Sequence, residues 1–308
     1  MHQITDKIMM IRPASFQYNA ETAVNNAFQS NINEESRPIH TKAIAEFNNM
    51  VAILRSKGVT VEVFQDTEDP IKPDAIFPNN WISFHANGTV ITYPMYAENR
   101  RMERQEAIID KLGRKYNITK RYTFESSEDE NKFLEGTGSM LLDRENDIVY
   151  ACLSPRTNIE ILEKYAVLME VEKIAFQSVD RYGKQIYHTN VMMALGIDFV
   201  VICLASIQNE TERKLVISTL EKTNKYVIDI SYDQLEAFVG NMLQVITING
   251  ETLLVMSQSA FNSLKEQQIN ELNARTTILP IPLETIETVG GGSVRCMMAE
   301  VFLTLNDT

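Results

Sequence analysis

Cysteine and histidine are scarce in this chain of 308 residues, which carries Cys152, Cys203 and Cys296 and, as its histidines, His2, His40, His85 and His188. There is no CxxC pair and no HxxxH or HExxH spacing, so the frameworks that hold zinc are missing and no metal is called for. An odd, sparse cysteine set in an acidic chain points to a reducing, cytoplasmic setting rather than a disulfide scaffold. Positive charge is also short. The 29 Lys and Arg against 41 Asp and Glu leave a net charge of −12, which argues against nucleic acid or an anionic membrane as a partner. No apolar run approaches the roughly 18 residues of a membrane span, and the opening MHQITDKIMMIRPASF offers no signal-peptide core. The GK[ST] of a P-loop is absent, and neither EGTGS nor GGGS fits GxGxxG, so no nucleotide cofactor is expected. Linkers, low-complexity stretches and clean repeats are missing too, and the chain reads as one compact domain.

What is present is an alternation of helical and strand-like segments typical of an α/β protein. With 44% hydrophobic and 23% charged residues the chain can bury a sizeable core. Residues 40–57 place Ile44, Phe47, Val51 and Leu54 on one helical face, with Gly58 following as the C′ residue. VTVEVF follows as a strand. Residues 100–111 and 157–171 read as amphipathic helices, and VVICLAS as a buried strand. Asn209 caps the next helix, and Ser231 with Gln234 makes a capping box. QVITIN and TLLVMS read as strands joined at Asn249-Gly250. Residues 259–273 read as a helix and TTILPIPL as a strand.

Three polar segments stand out. GGGSVRCM sets Gly290, Gly291 and Gly292 ahead of Cys296. The glycines would let backbone approach a ligand closely, and CMMAEVF reads as a short final helix whose N-terminus would favour a thiolate. IYHTNVMM puts His188 at the end of an apparent strand, and FLEGTGS puts Glu135 before two glycines. Taken singly, each has a bland reading: a structural histidine, a turn carboxylate, a buried thiol in a loop. Together they are the parts of a nucleophile with its acid/base and orienting group.

Taken with IRPASFQYNAETAVNNAFQ and DAIFPNNW, these segments closely resemble the guanidine-modifying (amidinotransferase, or pentein) superfamily. Within it they look like the arginine deiminase-related, citrulline-utilisation hydrolases. The motifs run from residue 11 to 298. The resemblance implies a single-domain α/β propeller of five blades around a central pocket and a cysteine hydrolase that needs no metal or organic cofactor. It assigns Cys296 as nucleophile, His188 as general acid/base and Glu135 as the carboxylate beside both the histidine and the substrate nitrogens. Asp74 falls where the substrate α-amine is bound, and Asn79 and Asn80 stand where dimethylarginine hydrolases have Glu and Asp. The SPRTN segment puts Arg156 near the α-carboxylate. Arg100 resembles a second carboxylate-binding arginine or else lies on a helix surface, and Arg12 is either a further ligand or a salt-bridged strand end.

Asn80 and Asn190 occupy positions at which arginine deiminases place Asp. A buried cation without counter-charge costs several kcal/mol, whereas amides can satisfy a neutral urea. Citrulline, going to ornithine, ammonia and CO2, is therefore the expected substrate. Arginine or a methylated arginine is the alternative within the enzyme class, and a non-catalytic binding protein is the alternative outside it. The partner is then a small amino acid, and a homodimer is left open.

Overall fold

The computed structural model describes residues 2–32 and 36–306. In chain order its strands are β1 (Lys7–Arg12), β2 (Thr60–Gln65), β3 (Ile82–Phe84), β4 (Thr89–Thr92), β5 (Lys120–Thr123), β6 (Leu141–Asp143), β7 (Ile148–Cys152), β8 (Glu172–Phe176), β9 (Met193–Leu195), β10 (Phe199–Ile202), β11 (Tyr226–Asp229), β12 (Leu243–Ile246), β13 (Thr252–Ser257), β14 (Thr277–Ile281) and β15 (Ala299–Glu300). They form five three-stranded sheets: β3-β4-β5, β6-β7-β8, β9-β10-β11, β12-β13-β14 and β15-β1-β2. In each, the middle strand runs antiparallel to the first and parallel to the third. The last strand of the chain thus takes first place in the sheet that the first strand began.

The parallel pairs explain the helices. Parallel neighbours need a crossover, and an amphipathic helix is the usual one. The helix Ser36–Ser56 joins β1 to β2 and buries Ile39, Ala43, Phe47, Met50, Val51 and Leu54. Ile44 is only half-buried, because the stripe is centred one residue earlier. The helix closes as a Schellman turn, with Gly58 N–H donating to Arg55 O (3.0 Å) and Val59 N–H to Leu54 O (3.0 Å). Helices Glu106–Gly113, Ile159–Met169 and Glu210–Lys222 make the next three crossovers. Asn209 caps the last of these, and Ser231 and Gln234 form the anticipated capping box.

Several elements differ from the sequence reading. The helix anticipated over 100–111 is broken after Arg101 and restarts at Glu106, because Arg100 and Glu103 turn inward together and are buried. Residues 259–273 split into Gln258–Ser263 and Glu266–Asn273, where Leu264 turns extended and buries its side chain. VVICLAS is strand only as far as Ile202 and then makes a 3-10 turn at Leu204–Ser206. His188 follows a loop rather than a strand. No helix follows Cys296: the residue sits in a turn that leads into β15, whose pairing with β1 takes the backbone hydrogen bonds a helix would have used.

One regularity positions the site. Ahead of each sheet's first strand lies a tight segment: Pro78–Asn80 before β3, Gly136–Ser139 before β6, Thr189–Met192 before β9, residues 240–242 before β12 and 293–298 before β15. No described helix is long and apolar enough to cross a membrane.

Candidate active site

A small cavity opens where these segments meet. Asp74, Asn80, Arg100, Arg156, His188, Gly290, Gly291, Gly292 and Cys296 line it together with Thr22, Asn26, Phe77 and Tyr187. Its volume is about 20 Å³, room for one water and not for an amino acid. The cover is the segment 19–30. Gln29 Nε2 donates to Val289 O (3.2 Å), Ser30 N–H to Thr288 O (2.8 Å), and Asn26 Nδ2 reaches Gly291 O at 3.4 Å. Phe28 of the same segment packs edge-on against Tyr187.

Glu135 precedes the one-turn helix Gly136–Ser139 and is wholly buried. Its Oε2 lies 2.8 Å from His188 Nε2, 3.6 Å from Arg156 Nη1 and 3.9 Å from Arg100 Nη1, while Oε1 accepts from Tyr96 N–H (2.9 Å). Burial pushes this carboxyl up, but Arg156, the His188 hydrogen bond and Arg100 outweigh it and hold the group well below the usual carboxylate range. His188 moves the other way. Burial depresses it to about 4, aided by Arg156 and Arg100 and only partly opposed by Glu135. An ionised carboxylate therefore faces a neutral imidazole at neutral pH, and the ring nitrogen bonded to Glu135 carries the hydrogen. Gly138 makes room for the ring, since a Cβ there would stand 2.8 Å from His188 Nδ1.

Arg100 is buried rather than on a helix surface. Its Nε and Nη2 make a bidentate pair with Glu103 (2.9 and 2.8 Å), and Nη1 donates to Asn80 Oδ1 (3.0 Å). Burial, with Asp74 and Glu135 nearby, raises Glu103 to about 7 against the pull of Arg100. Arg156 donates to Asn25 Oδ1 (2.8 Å from Nε) and to Thr22 O (2.9 Å), and lies over the Tyr187 ring. Asp74 Oδ2 accepts from Asn19 (2.8 Å) and Thr22 (3.1 Å), while its buried Oδ1 has no partner. Burial raises its carboxyl, opposed by Arg100, Asn19, Thr22 and Arg156.

Cys296 is 5% exposed. Two amides reach its sulfur, Asn190 Nδ2 at 3.5 Å and Asn241 Nδ2 at 3.3 Å. The three glycines before it are packed against protein. A Cβ on Gly290 would meet the Phe77 ring at 2.8 Å, and Gly291, at φ +62°, abuts Asn26 and Gln29.

The structure thus brings together all the anticipated side chains but two. Asn79 is buried but not among the residues that line the cavity; its side-chain amide has no hydrogen-bond partner, and its backbone carbonyl accepts from Thr137 Oγ1 (3.3 Å). Arg12 ends β1 beside His40 and lies outside the cavity lining. The sequence reading missed Glu103 and Asn241. The only signal for Asn241 was a Gly-Asn pair two residues ahead of a strand, as Asn80 is ahead of β3. Among the described residues no three His, Cys, Asp or Glu side chains are grouped to hold a metal ion.

The family model described as N,N dimethylarginine dimethylhydrolase, eukaryotic, matches residues 12–303. The chain belongs to this family. It lies within the pentein superfamily of arginine-modifying enzymes, as the motifs implied. No curated protein matches the chain. Among solved structures, apo ArgZ, an arginine dihydrolase of the ornithine-ammonia cycle in cyanobacteria, superposes with a TM-score of 0.75 at 15% identity, over 96% of this chain and 40% of that one. The N-terminal domain of ArgZ, as a Cys-to-Ser variant bound to substrate, gives 0.74 at 15% identity and covers 96% and 97%. A dimethylarginine dimethylaminohydrolase variant carrying an S-methyl-L-thiocitrulline adduct gives 0.66 at 15% identity and covers 96% and 99%. The chain therefore spans about two fifths of full-length ArgZ and nearly all of the other two. These likenesses establish the family's fold, a mixed α/β architecture of small sheets. They do not single out citrulline among the substrates of the superfamily.

Proposed function

We propose that this chain is a cysteine hydrolase that cleaves carbon–nitrogen bonds at the head of a citrulline-like amino acid. It would do so in a single domain whose five sheets are the blades of a propeller around the cavity. The observation that carries the substrate is the pair of amides. A guanidinium only donates, so the Arg100 contact commits Asn80 Oδ1 and leaves Asn80 Nδ2 as a buried donor without a partner; Asn190 Oδ1 is a buried acceptor without one. A urea answers both, its carbonyl accepting from Asn80 and its N–H donating to Asn190. A guanidinium offers donors alone and would leave the Asn80 amide unsatisfied, at a cost of about 1–3 kcal/mol.

The rest of the site fits an α-amino acid. Asp74 Oδ1 is free to take the ammonium, and Arg156 the carboxylate, fixing the head for attack. Cys296 would lose its S–H proton to the ring nitrogen of His188 that is not bonded to Glu135, as the sulfur bonds to the planar carbon. Glu135 would stabilise the imidazolium so formed, and that proton would leave with the departing nitrogen. The neutral His188 would then take a proton from water, and the hydroxide would release carbon from sulfur. For citrulline the first cleavage gives a thiocarbamate, and hydrolysis then yields ornithine or ammonia, depending on which nitrogen left, with the carbamate decomposing to CO2.

Arginine or a dimethylated arginine is the second reading. It is favoured by the family's description and by the ionised Glu135, which can face a cation. In ArgZ, the N-terminal domain of an Asn-to-Ser variant is covalently bound to a reaction intermediate, in keeping with covalent chemistry. Ammonia and amino-acid products from citrulline, arginine and both dimethylarginines decide between them. Citrulline should show the highest kcat/KM, by about tenfold or more. A preference for arginine or dimethylarginine overturns the citrulline assignment, and turnover of none overturns the hydrolase.

A further inference from the structure

Four of the five segments that lead into the sheets' first strands carry, within them or at the residue immediately before, a side chain already placed in the proposed chemistry: Asn80 before β3, Glu135 before β6, His188 before β9 and Cys296 before β15. The fifth, before β12, carries Gly240 and Asn241. Asn241 is 1% exposed and hydrogen-bonded through every side-chain polar atom. Oδ1 accepts from Arg295 N–H (3.1 Å), which fixes the amide's orientation, and also stands within reach of the Cys296 S–H (3.7 Å). Nδ2 donates to Asn190 O (2.8 Å) and reaches Cys296 Sγ (3.3 Å). Gly240 permits this approach, because a side chain there would collide with the Val191 carbonyl. Asn190 also donates to the sulfur, but more distantly, and its amide is needed by the substrate in the reading above.

We propose that Asn241 is the catalytic contribution of the fifth sheet, a fixed N–H donor to the reacting sulfur. It would hold Sγ toward the cavity and carry part of its negative charge twice. The first occasion is when the S–H bond breaks, with the proton going to His188. The second is when the S–C bond breaks in the second half-reaction and its electron pair returns to sulfur. The side-chain N–H groups that reach this sulfur come from two neutral amides, Asn190 and Asn241. The role rests on Cys296 being the nucleophile, but not on which ureido or guanidino compound is used.

The test compares Asn241→Leu and Asn241→Asp with wild type in two assays. One is alkylation of Cys296 by iodoacetamide at fixed pH without substrate; the other is steady-state turnover, with melting temperature followed alongside. Alkylation should slow at least about tenfold in N241L and further in N241D, where a carboxylate faces the developing thiolate. kcat should fall about 10²-fold with KM changed less than about threefold, as for loss of a donor to a reacting atom. Folded N241L that alkylates and turns over like wild type overturns the proposal, as does a loss of kcat matched by an equal rise in KM. If N241L does not fold, N241D decides through its alkylation rate, since it keeps the Arg295 contact. Alkylation uses no substrate, so failure of the citrulline reading leaves this result standing.

Discussion

Cys296, Cys152 and Cys203 are all buried, but only Cys296 borders the cavity. Burial pushes the Cys152 thiol up to about 12 and raises that of Cys203, so neither is a competent nucleophile. Cys296→Ser should therefore fold with an unchanged melting temperature and lose turnover roughly a thousand-fold or more, the alcohol being far harder to ionise. Peptide mapping after iodoacetamide should find the label on Cys296 and not on the other two. The neutral pair Asn80 and Asn190 makes a second prediction. Exchange of both for Asp should move relative kcat/KM from citrulline toward arginine. An aspartate at 80 would meet Arg100 first, so the single change at 190 should carry most of the shift. A double variant that moves further toward citrulline would remove the electrostatic argument. At this scale the sequence was informative because each motif keeps its chemistry with its residue. It could not say that Arg100 faces inward, because that depends on Glu103 accompanying it into the interior.

The elements explain access. The segment 19–30 roofs the cavity through Asn26, Gln29 and Ser30, and about 20 Å³ cannot admit an amino acid. Substrate entry requires these contacts to part. Each hydrogen bond is worth about 0.5–1.5 kcal/mol net, so Asn26→Ala with Gln29→Ala should raise the alkylation rate of Cys296 in the free protein several-fold. A rate equal to wild type would mean that reagents reach the sulfur by another path. Local signals were reliable where the interaction is local: the Asn209 cap, the Ser231–Gln234 box and the Asn249-Gly250 turn all stand as the sequence suggested. They failed where a remote partner intervenes. CMMAEVF is a turn running into the short strand β15 and not a helix, because β1, nearly the whole chain away in sequence, pairs with Ala299 and Glu300.

At the scale of the molecule, the charged site is buried among the segments that lead into the sheets' first strands, and burial there links protonation to stability. His188 titrates near 4 when folded and near 6.5 when unfolded. As pH falls through this window the unfolded chain takes the proton first, so the contribution of His188 is present above 6.5, declines between 6.5 and 4, and is gone below. Its size is of the order of 3 kcal/mol. Glu103, raised to about 7, acts in the opposite sense over part of the same range. The comparison is therefore between wild type and His188→Gln in urea melts: the stability difference should rise in favour of wild type from pH 4 to 6.5. A pH-independent difference would mean that His188 is not held neutral by its surroundings.

The sequence by itself determined the α/β alternation, the caps and turns, the net negative charge and, through five ordered motifs, the superfamily and most of the side chains gathered at the candidate site. Each of these is written within a few residues or in a residue's own chemistry. Only the tertiary structure decided that the strands group into five like sheets, since their likeness lies in backbone pairing and no sequence repeat records it. It alone put Asn80 and not Asn79 in the cavity lining, carried β15 back to β1, and set Asn241 against the sulfur. Those outcomes depend on contacts between segments far apart in the chain, where burial and hydrogen-bond satisfaction override what any short stretch prefers on its own.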